Sequence, residues 1–428
     1  MPAIAHIAMF TWIPIILVLF ATLPIRKAVV IAFVGGFLFL PVITYNVDKL
    51  PPYDKNTATC LGVFIATLFF NTERFLRFRF HAYDIPAIVL SLVPIAASLS
   101  NGLGLYDGLS AAFRTVVFWL LPYFLGRLYF ANFNSLKDLA TGIFLGGVVY
   151  VPFCLWEIRM SPQLHRQVYG LVVTSFVQIV RYGGYRPVVF VGGSGLLLSL
   201  FMAMATLCGY WLWRTKVTHR ILGLPMLLIL PALFFTTILT KSTFAIILLF
   251  AGLVVLEAGR LLKSKLPIML LTCVPVLFIL LRLFSLWDGM SLVTLSERYF
   301  GSVRAQSAET RVVNDTVLAE WAWKRPILGW AGWGRNRPPG TRTITDSLWI
   351  IIFGTCGLVG LFSWMLLYTI PVYRMAFVYK DRSLFVTRLG LILSLYVCLV
   401  ITFMYNTQNS ATFPLMIVLA GGLTRVKL

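Results

Sequence analysis

Charge is what this sequence has least of: charged residues fill 12% of its 428 positions, against about 25% in soluble domains. A water-soluble chain of that length cannot cover its core with so little charge. Negative charge is the scarcer sign, with 15 Asp and Glu against 36 Lys and Arg and a formal net of +21. Cysteine is sparse and never closely paired. Cys60, Cys154, Cys208, Cys273, Cys356 and Cys398 lie in or beside apolar stretches, so neither a zinc site nor a disulfide framework is expected. The sequence has no Gly-rich phosphate loop on a strand, no paired aspartates of a metal-dependent sugar-nucleotide transferase, no His-Glu-X-X-His and no serine nucleophile elbow. Nucleotide-driven and metal catalysis are thereby disfavoured, and no metal or cofactor is expected. The first apolar run has no basic residue before it and no small-residue cleavage site after it, so it is expected to stay as a span.

What is present is apolar sequence in long runs. Hydrophobic residues make up 59% of the chain, which excludes a disordered, collagenous or nucleic-acid-binding protein. At about 20 residues per membrane-spanning helix, the runs give about 13 candidate spans: 4–23, 28–44, 57–70, 85–99, 109–126, 139–156, 188–213, 221–239, 243–257, 266–285, 347–372, 389–405 and 411–423. The expectation is one all-α, polytopic membrane domain over 1–428, with about 12–13 transmembrane helices.

Basic residues in short loops mark the cytoplasmic side. One alternating set of loops holds Arg26 and Lys27, Arg74 to Arg79, Arg127 and Lys137, Arg214 to Arg220, Arg260 to Lys265, Arg374 to Arg388, and Arg425 and Lys427. The opposite short loops are nearly free of positive charge, which places the amino terminus outside and the carboxyl terminus inside. Two outer segments depart from this pattern, 158–187 and 286–345, and loops of such length in a compact protein are usually functional. In the longer one a helix is expected from about Ala308 to Trp323, with Val313, Val317, Leu318 and Trp321 on one face. Arg311 with Asp315, and Glu320 with Lys324, stand at i,i+4 spacing. In the shorter one Leu164, Val168, Leu171, Val172, Phe176 and Ile179 line one face of a helix lying along the membrane boundary.

Ionisable residues on this outer side are the candidates for chemistry. Arg114 sits about a third of the way into a span, where it either snorkels to headgroups or faces a polar cavity. Arg181 and Arg186 flank two glycines at a span mouth, a pairing suited to bidentate capture of phosphate oxygens. Lys241 stands at the junction of two spans. Together Arg114, Arg181, Arg186, Lys241, Arg311 and Arg342 define a basic cup for an anionic substrate. The acidic candidates are Glu157, Glu297, Glu309, Asp315, Glu320 and Asp346. Asp346, just before a span, reads either as an N-cap or as a general base. His165 reads as a solvated surface residue.

An Arg311 helix, then Pro326-Ile-Leu-Gly-Trp-Ala-Gly-Trp-Gly334, then a polar residue opening a span with Gly354-Thr-Cys-Gly-Leu-Val-Gly-Leu361 resembles the bacterial O-antigen ligase and polymerase superfamily of membrane glycosyltransferases. Arg181-Tyr-Gly-Gly-Tyr-Arg-Pro187 and Thr240-Lys-Ser242 also look like the family's outer-mouth segment and span junction, with Lys241 where arginine is usual. The resemblance implies a GT-C-like fold in the bacterial inner membrane, with a long periplasmic loop containing helices and an active site facing the periplasm. It implies metal-independent transfer of a glycan from an undecaprenyl diphosphate-linked donor to an acceptor sugar hydroxyl. The product is then either polymerised surface polysaccharide or O-antigen ligated to lipid A core. The expected partners are that donor, an acceptor glycan or lipid A core, and membrane lipids. The family's ligases carry a histidine where this chain has Asp346, so polymerase is slightly favoured over ligase. On this reading Arg181, Arg186 and Lys241 bind diphosphate, Arg311 orders the loop or touches phosphate, and Asp346 is the base. The competing classes are a transporter or flippase of lipid-linked saccharides, and a non-catalytic component of a polysaccharide export machine. No internal repeat supports the transporter.

Overall fold

In hydrocarbon every backbone N–H and C=O must be satisfied within the protein, so apolar runs of this length form helices. A computed structural model describes residues 3–46, 52–221, 223–344, 346–378 and 390–426, and it is mostly helical. The helices are α1 (Ala3–Thr22), α2 (Ile25–Phe39), α3 (Lys55–Phe70), α4 (Thr72–Leu76), α5 (Ile85–Ser100), α6 (Leu105–Thr115), α7 (Leu121–Tyr129), α8 (Phe133–Met160), α9 (Leu164–Tyr169), α10 (Phe176–Ile179) and α11 (Leu196–Arg214). They continue as α12 (Met226–Leu239), α13 (Thr243–Leu261), α14 (Leu266–Leu283), α15 (Met290–Phe300), α16 (Ser302–Ala322), α17 (Leu348–Val378), α18 (Leu391–Asn406) and α19 (Pro414–Thr424). Two small hairpins, β1 (Val180–Arg181) with β2 (Gly184–Tyr185) and β3 (Arg220–Ile221) with β4 (Leu224–Pro225), are the only sheets among the described residues. A π turn over Val116–Leu120 joins α6 and α7 into one rod.

Among the described residues, eight helical segments are long and apolar enough to cross a membrane: Ala3–Thr22, Ala82–Ser100, Leu105–Tyr129, Phe133–Met160, Leu196–Arg214, Thr243–Leu261, Leu266–Leu283 and Leu348–Phe377. Each of the 13 expected runs contains a helix, but α2, α3, α12, α18 and α19 fall short of the roughly 20 residues that cross a bilayer. Two of these need not face lipid: the side chains of α18 and α19 are almost all buried, as are most of α11. A helix apolar on every side belongs in the middle of a bundle. The run beginning at Val188 is a series of turns until Gly195, and only then helix. Of the basic residues assigned to one set of loops, Lys380, Arg382, Arg388 and Lys427 lie outside the described residues.

The connections gather at two ends. At one, Arg127 forms a buried ion pair with Asp84, which also accepts from the Tyr123 hydroxyl and the His81 amide, and Arg374 lies 4.1 Å over the Tyr83 ring. At the other, His165 accepts a hydrogen bond from the Val42 amide (3.1 Å), and Asn101 donates to the carbonyl of Gly329 (3.0 Å). His165 is thus buried between two stretches of backbone, its Nδ1 on the Leu171 carbonyl at 3.0 Å, and is not the solvated residue expected. Burial holds its pKa below the ordinary histidine value.

α17 is broken at Gly357, whose φ of 64° and ψ of −164° are not helical. In an unbroken helix Leu358 and Val359 would donate to Gly354 and Thr355. Instead the 326–331 segment lies in the gap. Leu358 and Val359 donate to Pro326 and Ile327 (2.7 and 3.3 Å), while Trp330 and Ala331 donate to Gly354 and Thr355 (2.8 and 3.0 Å). A Cβ on Gly357 would sit 2.2 Å from the Ile327 carbonyl oxygen, so only glycine permits the contact. The Pro326–Gly334 and Gly354–Leu361 motifs are therefore two halves of one backbone junction.

Candidate functional site

The site starts from the β1–β2 hairpin, paired Val180 to Tyr185 and Arg181 to Gly184. Its turn residues, Tyr182 at φ 48° and Gly183 at φ 65°, both adopt the left-handed conformation that a tight two-residue hairpin needs. The next residue, Arg186, is 3% exposed. Its guanidinium donates to the carbonyls of Ser194 and Lys241, each at 3.1 Å. Lys241, at φ 54°, joins α12 to α13 and returns its ammonium toward the Tyr182 carbonyl at 3.4 Å. The Tyr182 hydroxyl meets Thr243 at 2.8 Å. Hairpin and junction therefore hold each other by groups from both.

α16 closes the cluster from the long segment. Arg304 lies 5.2 Å over the Tyr182 ring. Burial, and next the charge of Arg304, lower the pKa of Arg181, with Arg311 adding to the effect. Burial lowers that of Arg186 to about 10, with Arg181 and Arg304 contributing. The charges felt at Arg181 and Arg186 put Arg304 and Arg311 in their neighbourhood, with Lys241 bonded into it. Tyr405, at the end of α18, interacts electrostatically with Arg311 and Arg186.

The acidic groups stand on the same helix and just before α17. Arg311 pairs with Asp346, Nε to Oδ2 at 3.3 Å, and not with Asp315 as the spacing suggested. Asp315 is 2% exposed and accepts from the Ser347 hydroxyl at 2.8 Å. Burial pushes its carboxyl up to about 7; the Ser347 hydrogen bond and Arg282 oppose that, and the charge of Asp346 adds to it. Arg282 fixes this turn of α16 by donating to the Val312 carbonyl (2.7 Å) and to Thr316 (2.9 Å).

Several expected residues lie elsewhere or do other work. Arg114 is exposed on α6 and Arg342 is exposed after the Arg335–Gly340 loop; neither side chain makes a hydrogen bond or ion pair among the described residues. Glu157 is buried and accepts the amides of Leu164 (3.0 Å), Val188 and Val189 (both 2.7 Å), a structural role. Glu297, Glu309 and Glu320 are exposed. Lys324 lies 4.4 Å over the Trp321 ring instead of pairing with Glu320. The buried face of α16 is Ala305, Val312, Asp315, Leu318, Ala319 and Ala322, with Val313 outward. The helix expected over Leu164–Ile179 stops at Gly170, which is left-handed at φ 65°, and leaves Val172 and Phe176 exposed. Among the described residues no three His, Cys, Asp or Glu converge to hold a metal ion.

Arg304, Arg282, Ser242 and Tyr405 were not singled out from the sequence. For Arg304 a signal existed: seven residues before Arg311, it falls on the same helix face. Compared with known protein families, with curated proteins and with solved structures, the chain matches none.

Proposed function

We propose that the chain is an inner-membrane glycosyltransferase that uses a polyprenyl diphosphate-linked saccharide at the periplasmic face, with polymerase activity slightly ahead of ligase. One observation carries this reading: Arg181, Arg186, Lys241, Arg304 and Arg311 come from three distant segments and converge at one end of the bundle beside the carboxylate of Asp346. That end is opposite the short basic loops, which on the positive-inside rule face the cytoplasm. A surplus of clustered cations, Arg186 buried and the others half-buried, suits a strongly anionic group, and a lipid diphosphate brings its own activation to a compartment without nucleotides.

In the proposed reaction the oxygen of an acceptor sugar hydroxyl attacks the anomeric carbon of the donor. The bond from that carbon to the diphosphate oxygen breaks, and its electron pair leaves with the diphosphate. Arg181, Arg186 and Lys241 offset the charge that develops there. Asp346 takes the hydroxyl proton, with Arg311 holding the carboxylate in place. Asp315 fixes Ser347 and so the corner that presents Asp346.

The test is purified protein in detergent with a lipid-linked repeat unit. Longer glycans are expected; product on added lipid A core instead would identify a ligase. Absence of any transfer by the wild-type protein would favour transport or scaffolding. Asp346→Asn is expected to lower the rate about a hundredfold or more, and a wild-type rate would remove Asp346 from the base role.

A further inference from the structure

Around the first turn of α13 stand polar groups that find no partner among the described residues. Ser242 stands at the N-cap, yet its hydroxyl does not cap the helix; it is 1% exposed and finds no hydrogen-bond partner. The Tyr405 ring stacks on Phe244 of the same turn, centroids 6.4 Å apart. Its hydroxyl is likewise 1% exposed and unpartnered, under the influence of the Arg311 and Arg186 charges. Arg186, anchored on the Lys241 carbonyl immediately before the turn, keeps a buried Nε–H with no acceptor. Buried polar groups are normally paired. Here the unpaired side-chain groups are all able to donate, and they gather at a helix N-terminus, whose amides also lack intrahelical acceptors and carry partial positive charge.

Donors without acceptors, next to cations and a helix N-terminus, describe a site for an oxyanion. We propose that Ser242, Tyr405 and the Nε–H of Arg186 form, at the first turn of α13, a pocket for one phosphoryl group. This rests on the lipid-diphosphate reading above and adds to it: the phosphoryl group is read by neutral hydroxyls and a helix terminus as well as by arginines. Tyr405 reaches the pocket from the far end of the chain, between Arg311 on α16 and Arg186 on the hairpin segment. It thus sets one neutral donor beside the charges of two segments.

The experiment uses the full chain purified in detergent, with inorganic pyrophosphate and farnesyl diphosphate as probes, titrated calorimetrically. Wild type is expected to bind both. Tyr405→Phe and Ser242→Ala each remove one oxygen and are expected to weaken pyrophosphate binding roughly tenfold or more, as loss of a hydrogen bond to a charged group does. Because neither oxygen has a partner among the described residues, neither variant should lower the melting temperature without probe. The order of the two probes identifies the source of the phosphoryl group: tighter farnesyl diphosphate means a lipid, equal affinity a free anion. No saturable binding by wild type, unchanged binding by both variants, or a clear fall in their probe-free melting temperature would overturn the pocket. Pyrophosphate binding that persists in a protein with no glycan transfer would remove the enzymatic reading and leave the pocket standing.

Discussion

Asp315 has exchanged water for a buried place against the Ser347 hydroxyl, and burial pushes its carboxyl up to about 7. The folded pKa lies above the roughly 3.9 of a free aspartate, so between those values the native state holds a proton that the unfolded state has lost. Its contribution to stability is greatest below about 4, falls as pH rises toward 7, and is constant above. Asp315→Asn is expected to flatten that slope, read as melting temperature against pH from 4 to 8 in both proteins. Arg186 makes the opposite kind of demand. Arg186→Ala leaves the Ser194 and Lys241 carbonyls without their donor, and a loss of about 2 to 4 kcal/mol is expected in thermal or denaturant unfolding. The residue types of this site were legible in the sequence as outward-side arginines and an aspartate before a span. Their pairings were not. Helical spacing offered Asp315 to Arg311, but Asp346, 35 residues on, takes that place, and only the folded chain brings a distant carboxylate into competition.

The broken helix α17 shows what element-scale reading misses. Residues 354–361 are apolar and continuous with their surroundings, so hydropathy reads through the break, and the partner that fills it is an irregular loop with no periodicity of its own. Gly357→Ala is expected to cost about 2 to 4 kcal/mol, because a side chain at φ 64° would meet the Ile327 carbonyl. Gly193→Ala is the control: its φ of 67° is similarly strained, but nothing lies within 4 Å of the added carbon, and a loss of only about 1 kcal/mol is expected. Comparing the two melting temperatures separates backbone strain from obstruction. The helices themselves were readable because lipid permits little else, but five of the thirteen runs hold helices too short to count as spans by length. The two hairpins were not, since each strand is two residues long.

For the molecule as a whole, the two ends differ in how their charges are used. At one, Arg127 and Asp84 are buried and matched; at the other, arginines gather with one paired carboxylate. Asp84→Ala is expected to destabilise the protein by about 3 to 5 kcal/mol in a melting experiment, since it leaves a buried guanidinium unpaired. Sidedness is checked by cysteine labelling in a background with Cys273 and Cys356, the two not fully buried, replaced by alanine. On the proposed orientation, Arg342→Cys is expected to react with an impermeant reagent in intact spheroplasts, and Arg79→Cys only after permeabilisation. The junction at Gly357 also bears on how the chain is made. The strip of backbone that completes α17 precedes it in the sequence, so a ribosome delivers residues 326–331 before the helix they mend. The four amides and carbonyls at the gap would be costly in hydrocarbon if bare. Synthesis from the amino terminus supplies their partners first, and a circular permutant that reversed that order would insert a helix still missing its filling.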